Sequence, residues 1–418
     1  MHKSVQQYLS RYAEPNLPEL TAQYRHQWQW VVCIPCFNES PEFINALPDT
    51  SNTLCIVVVN HPQGRDHLVN AEFIKSASKG RVSRKLGHKD QLITLKGDNR
   101  HILLVDRSTD QTGFNPKQGV GLARKLAADI ALKWHIQGHI KNEWINMTDA
   151  DALLPQNYFT ALNGTHITTP AVVYPFRHSP AQTPEEQLAL DLYELKLHHY
   201  VAGLIQAKSP YAHHSIGSCM AIRAKAYAQV RGVPKRAAGE DFYLLNKANK
   251  LGKIQTAALD STVFLSPRRS NRTPFGTGQG VNTLSNQTAP LKAEIFYPPD
   301  AFFNLQCVLD KIEAGAQTFE ALTAGLSDEA CNALVNLGIE AALTHCQTHG
   351  PTPKKFQRQL HQWFDGFKTL KFIHQLAPPK TGLLSFAEWS VQTQNTDLTP
   401  QEASQKVRDF CYQHLTDD

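Results

Sequence analysis

The chain has 418 residues, 41% of them hydrophobic and 19% charged, with a formal net charge of +5. These are globular proportions over a length greater than one core commonly holds, so they argue for a large domain with a smaller companion and exclude a largely disordered chain. The cations are scattered without a Lys/Arg block, which argues against a nucleic-acid polymer as partner and suits small anionic ligands.

The polar start Met1-His2-Lys3-Ser4 has no signal-peptide core, and no later run approaches bilayer-crossing length, so the expected location is the cytoplasm. Residues 1–28 read as a helical extension, with Tyr8, Tyr12 and Leu20 apolar and Pro15 and Pro18 as breaks. Val31 to Glu39 is a short apolar run ended by Pro35 and polar residues, a buried parallel strand leading into a loop. Loops at the carboxyl ends of such strands are where open α/β sheets bind ligands. Cys33 and Cys36 have the C-x-x-C form of a redox or metal motif. No second such pair or His pair follows at zinc spacing, so these and the other six cysteines read as reduced thiols.

Leu54 to Asn60 is the next strand, closed by the turn residues His61-Pro62-Gln63-Gly64. A polar insertion over about 75–100 precedes the strand Ile102 to Asp106. Gly119 opens a helix running to about Gly138, with Leu122, Leu126, Ile130 and Trp134 as apolar positions. Its N-terminus can attract phosphate, and Arg124 can pair with it. Strands alternating with helices imply a parallel sheet with right-handed crossovers.

The apolar stretch Trp144 to Met147 leads into Asp149-Ala150-Asp151. At the end of a strand such a pair can hold a divalent cation through oxygen ligands while the cation neutralises a diphosphate, the chemistry of a nucleotide-sugar site. The competing reading is a turn in which Asp bonds its own backbone. Thr168 to Phe176 reads as a further strand. A helix from Pro184 to about Ile205 carries Leu188, Leu192, Leu195 and Tyr200 on one face and solvated Glu185, Glu186, Asp191 and Glu194 on the other. His198 and His199 point in different directions on that helix and cannot chelate as a unit. His213 and His214 begin a segment rich in small residues; they either bind acceptor hydroxyls or belong to a plain loop. Glu240-Asp241 heads a helix, where acids are favoured by the helix dipole. A strand over about 254–265 is followed by Ser266 to Gly280, in which Arg268, Arg269 and Arg272 among glycines form either a loop that closes over a diphosphate or a solvated linker.

Four of these segments, in this order between Trp28 and Gln287, resemble the family 2 glycosyltransferases of the GT-A fold: Pro35 to Glu39, Gly119 to Arg124, Asp149 to Asp151, and Glu240-Asp241. The resemblance implies an α/β, GT-A-like domain over residues 29–290, built on a mostly parallel open sheet flanked by helices. It implies that Pro35, Phe37, Asn38, Glu39, Gly119, Arg124 and Asp149 bind the nucleotide of a UDP- or GDP-linked sugar. Asp149 and Asp151 would hold Mn2+ or Mg2+, Asp241 would act as general base, and Glu240 would orient the base or the acceptor. The implied reaction is an inverting transfer to the hydroxyl of a saccharide, a lipid-linked molecule or a small molecule. Where the family has an acidic residue that reads the nucleobase, this chain has Asn60, which both donates and accepts and leaves the base open. Asp106 on the next strand can take that role or close an Asx turn with Ser108 and Thr109. The rival readings are a sugar-phosphate nucleotidyltransferase, which should have a Gly-rich phosphate loop after its first strand, and a non-catalytic carbohydrate-binding protein on the same fold.

Residues 291–418 resemble no family and read as helices over about 304–314, 327–348 and 353–376, with a last helix opened by the capping-box pattern Thr399-Pro400-Gln401-Glu402. In the third of these, Phe356, Leu360, Trp363, Phe364 and Phe367 share a face among basic residues. That face either packs onto the catalytic domain or lies on the anionic inner face of a membrane.

Overall fold

The computed structural model describes residues 3–46, 52–64, 68–87, 89–95, 100–108, 113–269, 276–378 and 381–416. Eleven strands occur among them: β1 (Trp30–Cys36), β2 (Thr53–Asn60), β3 (Val82–Leu86), β4 (Asp90–Thr94), β5 (His101–Arg107), β6 (Trp144–Met147), β7 (Ala171–Val173), β8 (Phe176–His178), β9 (Met220–Arg223), β10 (Gln255–Thr256) and β11 (Val263–Leu265). Nine form one mostly parallel sheet in the order β10-β7-β9-β6-β1-β2-β5-β4-β3, and β8 pairs with β11 in a separate ribbon. β9 runs antiparallel to both its neighbours, β6 and β7, and β4 reverses direction at the far edge.

The central strands are apolar over most of their length, as expected where both faces of a sheet are covered. All eight residues of β2 are buried, and the helix Gly119–Ile136 packs against β1 and β2. Each fully buried Val, Leu or Ile contributes roughly 1.5–3 kcal/mol, so this block holds the sheet. Pro35 cannot donate to a ladder. It lies beyond Cys33, the last β1 residue paired with β6, where that pairing has already ended.

The chain divides into two compact units, one of residues 1–179 and 215–279, the other of 180–214 and 280–418. The sheet belongs to the first. So does the N-terminal segment, whose Tyr8 is buried against Asp129 and Tyr227, donating to the Asp129 carboxylate at 2.5 Å. The expected polar insertion instead contains the end of the helix Leu68–Ser78 and the hairpin β3–β4, in which Arg84 and Lys85 stand exposed on the edge strand. Charge at that position discourages edge-to-edge pairing. The strands expected over 168–176 and 254–265 are each divided, the second by a 3-10 turn at Leu259–Ser261.

The second unit is helical. The helix Pro184–Gln206 belongs to it, although a single cut near residue 290 assigns that helix to the first domain. Its partners explain this: it packs on Pro400–Thr416 and Pro299–Glu313, and Gly203 admits the Phe302 ring so closely that a Cβ would lie 2.4 Å from it. Glu194, expected in solvent, is buried 3.7 Å from Arg408. Thr399 and Glu402 form the reciprocal cap read from the sequence, with Thr399 N donating to Glu402 at 2.9 Å. Two expected helices are broken. Asp328–Asn336 and Ile339–His349 are separated at Gly338, at φ 83°, and Pro353–Trp363 and Gly366–Leu376 are separated where Asp365 caps the second by accepting from Phe367 N and Lys368 N. Phe356, Leu360 and Phe364 are buried in this unit's own core, so the amphipathic stripe is used internally. No described helix is long and apolar enough to cross a membrane.

Candidate active site

The carboxyl ends of β1, β2, β5 and β6 deliver most of the residues singled out from the sequence. Beyond β1 the chain turns at Asn38 (φ 51°), and Asn38 N donates to Asn70 Oδ1 at 2.8 Å, while Asn70 Nδ2 donates to Asn60 O at 2.9 Å. Asn70 is fully buried and ties the two strand ends together. Sequence reading missed it, since an Asn inside a helix carries no signal of what it bridges. Asn60 Oδ1 is buried and has no hydrogen-bond partner among the described residues, and neither has Thr148 Oγ1 beside the Asp-x-Asp triplet. Asp106 makes the Asx turn, accepting from Ser108 N at 2.8 Å and Ser108 Oγ at 3.2 Å.

Arg124 is the hub of the site. Its guanidinium, only 2% exposed, donates from Nε to Glu240 Oε1 at 3.1 Å, from Nη1 to Gly217 O at 2.8 Å and from Nη2 to Asp149 Oδ1 at 2.8 Å. Burial opposes its charge, but Asp149 and Glu240 outweigh that and hold it protonated. The residue expected to pair with a phosphate thus serves three protein acceptors. Its position depends on close packing: Gly121 N donates to Arg236 O at 3.0 Å, and a Cβ on Gly121 would fall 2.5 Å from Pro234 O. Gly119 (φ 36°) likewise lies against Ala237, so this turn of the helix is covered by the segment leading to Glu240. Gly217 gives space to Arg124, whose Nη2 would be 2.7 Å from a Cβ there.

Asp241 sits beside this hub, 3.4 Å from the same Cβ position on Gly217, and accepts from its neighbour Phe242 N at 2.7 Å. Desolvation, with Glu240 and more weakly Asp149, raises its carboxyl to about 7 against the opposing pull of the Phe242 N–H and Arg124. A carboxyl at that value takes up and gives back a proton near neutrality.

Arg268 makes a second bridge. Nη1 donates to Glu39 Oε2 at 3.1 Å, and Nη2 donates both to Glu39 Oε1 and to Asp151 Oδ2 at 2.8 Å. Glu39 is buried and Arg268 is 40% exposed. Arg269 is exposed, and Arg272 lies outside the described residues.

Among the described residues no three His, Cys, Asp or Glu side chains gather into a cation cage. A magnesium-like ion bound with a diphosphate needs only one or two carboxylates, the phosphates and water supplying the rest. Asp149 and Asp151, 41% and 32% exposed on their side chains, fit that smaller requirement. The eight cysteines are all outside disulfides, and Cys33 and Cys36 are buried. Cys33 lies within β1, and burial raises its thiol well above the usual range. His213 and His214 are buried in the helical unit, where His214 Nε2 and His198 Nδ1 share a hydrogen bond of 3.0 Å.

No protein-family model matches the chain, and no curated protein does. Among solved structures, similarity is found to residues 1–349 of TarS from S. aureus in complex with UDP-GlcNAc, at 12% identity over 80% of this chain and 89% of that one, with a TM-score of 0.37. It is also found to the mannosyltransferase PcManGT from Pyrobaculum calidifontis in complex with GDP-Man and Mn2+, at 15% identity over 86% of this chain and 93% of that one, with a TM-score of 0.34.

Proposed function

We propose that the chain is a nucleotide-sugar-dependent glycosyltransferase with a GT-A-like catalytic unit. The observation that carries this reading is the convergence on one buried guanidinium, Arg124, of Asp149 from the Asp-x-Asp triplet and Glu240 from the Glu-Asp pair, with Asp241 alongside. Three of the four motifs that carry the family resemblance thereby contribute residues around Arg124, which supports this reading. A nucleotidyltransferase loop is not needed to account for any of it.

In this reading the acceptor hydroxyl oxygen attacks the anomeric carbon, the bond from that carbon to the diphosphate oxygen breaks, and the hydroxyl proton passes to the Asp241 carboxylate, inverting the centre. Glu240, fixed by Arg124, raises the basicity of Asp241 by its charge. Asn60 offers Oδ1, which has no partner among the described residues, to an N–H on the edge of the base. Asp149 and Asp151 would hold the divalent cation, which when bound would neutralise the charge developing on the leaving diphosphate. Release of UDP or GDP from a panel of nucleotide sugars, with Mn2+ and with and without saccharide acceptors, tests the proposal. Slow donor hydrolysis that an acceptor accelerates is the expected result. Failure of every nucleotide sugar to bind or turn over would sink it.

A further inference from the structure

We propose that Arg268 occupies the oxygen of Asp151 that a divalent cation would use, so that metal binding is conditional on the arrival of a nucleoside diphosphate. The inference rests on the glycosyltransferase reading of the same site and adds a control that no motif announces. Its ground is the bridging geometry: one guanidinium grips Glu39 with both nitrogens, at 3.1 and 2.8 Å, and shares the second nitrogen with Asp151 Oδ2 at 2.8 Å. Forked contacts of this kind are the strong, directional form of a charge-assisted hydrogen bond. The oxygen of Asp151 that faces Arg268 is thus engaged by a protein cation.

Charge accounting shows why the exchange needs the donor. Arg268 sets one positive charge against Glu39 and Asp151. A divalent cation added alone sets two cations against each other across the Asp151 carboxylate. A diphosphate arriving with the cation offsets the added positive charge and gives the displaced guanidinium phosphate oxygens to grip in place of Asp151. Cation and diphosphate therefore bind with positive coupling, and by linkage each raises the affinity for the other by the same factor.

The experiment titrates Mn2+ alone, and Mn2+ in saturating UDP or GDP, into the full chain and into Arg268→Gln, reading free Mn2+ by electron paramagnetic resonance. The parent is expected to bind Mn2+ weakly alone and at least about tenfold more tightly with the nucleotide, within the usual range of coupling between sites. Arg268→Gln is expected to bind Mn2+ alone about tenfold more tightly than the parent, and the nucleotide's enhancement should shrink by the same factor. Because the variant leaves Glu39 buried without its fork, circular dichroism is recorded on the same sample. The pair Arg268→Gln with Glu39→Gln provides a second test if the single variant is misfolded: Mn2+ alone should again bind to it more tightly than to the parent. Unchanged or weaker Mn2+ binding by the folded variants overturns the exchange while leaving the transferase reading intact. Absence of Mn2+ binding in every protein, with nucleotide binding retained, overturns the exchange and the metal assignment together.

Discussion

Replacing Arg124 by Met separates an internal organiser from an arginine held in reserve for a ligand. Methionine keeps much of the volume and removes the guanidinium. Glu240, 5% exposed on its side chain, then remains as a buried carboxylate that has lost its partner, a loss that typically costs about 3–5 kcal/mol. Asp149 is 41% exposed and is screened by water, so its share is only about 0–1 kcal/mol. The Gly217 carbonyl loses a donor at 2.8 Å, worth roughly 1–3 kcal/mol if it is left dry. These terms share one side chain and do not add. The working figure is therefore about 3–5 kcal/mol, a large part of the 5–15 kcal/mol typical of a folded domain. Urea unfolding followed by circular dichroism measures it, with exposed Lys79→Met as the control expected to change stability by less than about 0.5 kcal/mol. Neutralising the stranded acid should rescue part of the loss, so Arg124→Met with Glu240→Gln should be at least about 1 kcal/mol more stable than the two single effects summed. An Arg124→Met protein within about 1 kcal/mol of the parent, or strict additivity in the pair, would refute the assignment of Arg124 as the residue that gathers the acids.

Four further outcomes are expected. Asp241→Asn should lower kcat by about two orders of magnitude with donor affinity near the parent value, and near-parental turnover by a folded variant would remove the general base. In the parent, activity should climb as pH rises through about 7, because the raised Asp241 carboxyl must be ionised to accept a proton; a flat rate between pH 6 and 8, taken as roughly one unit either side of that value, speaks against this role. Asp151→Ala should abolish Mn2+-dependent nucleotide binding in calorimetry, since a hard cation loses an anionic oxygen; equal affinity in the variant would disprove the ligand assignment. The helical unit should weaken in acid, because burial lowers His199 and His213 to about 4, and lowers His214, with the help of His213, to about 3. The free imidazole titrates near 6.5, so between 6.5 and these values the unfolded chain binds more protons. Stability is then complete above 6.5 and is lost as pH falls through that window. His199 alone accounts for about 3 kcal/mol at the acid end, and a urea midpoint for the helical signal that stays constant from about pH 7 to 4.5 contradicts it.

Local chemistry made much of the molecule legible in the amino-acid sequence. β1, β2, β5 and β6 stand out because strands covered on both faces become unbroken apolar runs, and Thr399 with Glu402 announces a helix start because both partners of the cap lie within one turn. The order of the motifs was sufficient to suggest a glycosyltransferase, and the C-x-x-C pair could be set aside for want of a second ligand pair. Tertiary structure decided what the same residues touch. An arginine at the start of a helix looks alike in sequence whether it faces a phosphate or a carboxylate, and the partners of Arg124 lie 25, 93 and 116 residues away. Arg268 reaches Asp151 across 117 residues and Glu39 across 229, separations at which no periodicity carries information. The amphipathic face of Pro184–Gln206 called for burial without saying in which core. That was settled by Gly203, whose missing side chain lets Phe302 approach and seats the helix in the second unit.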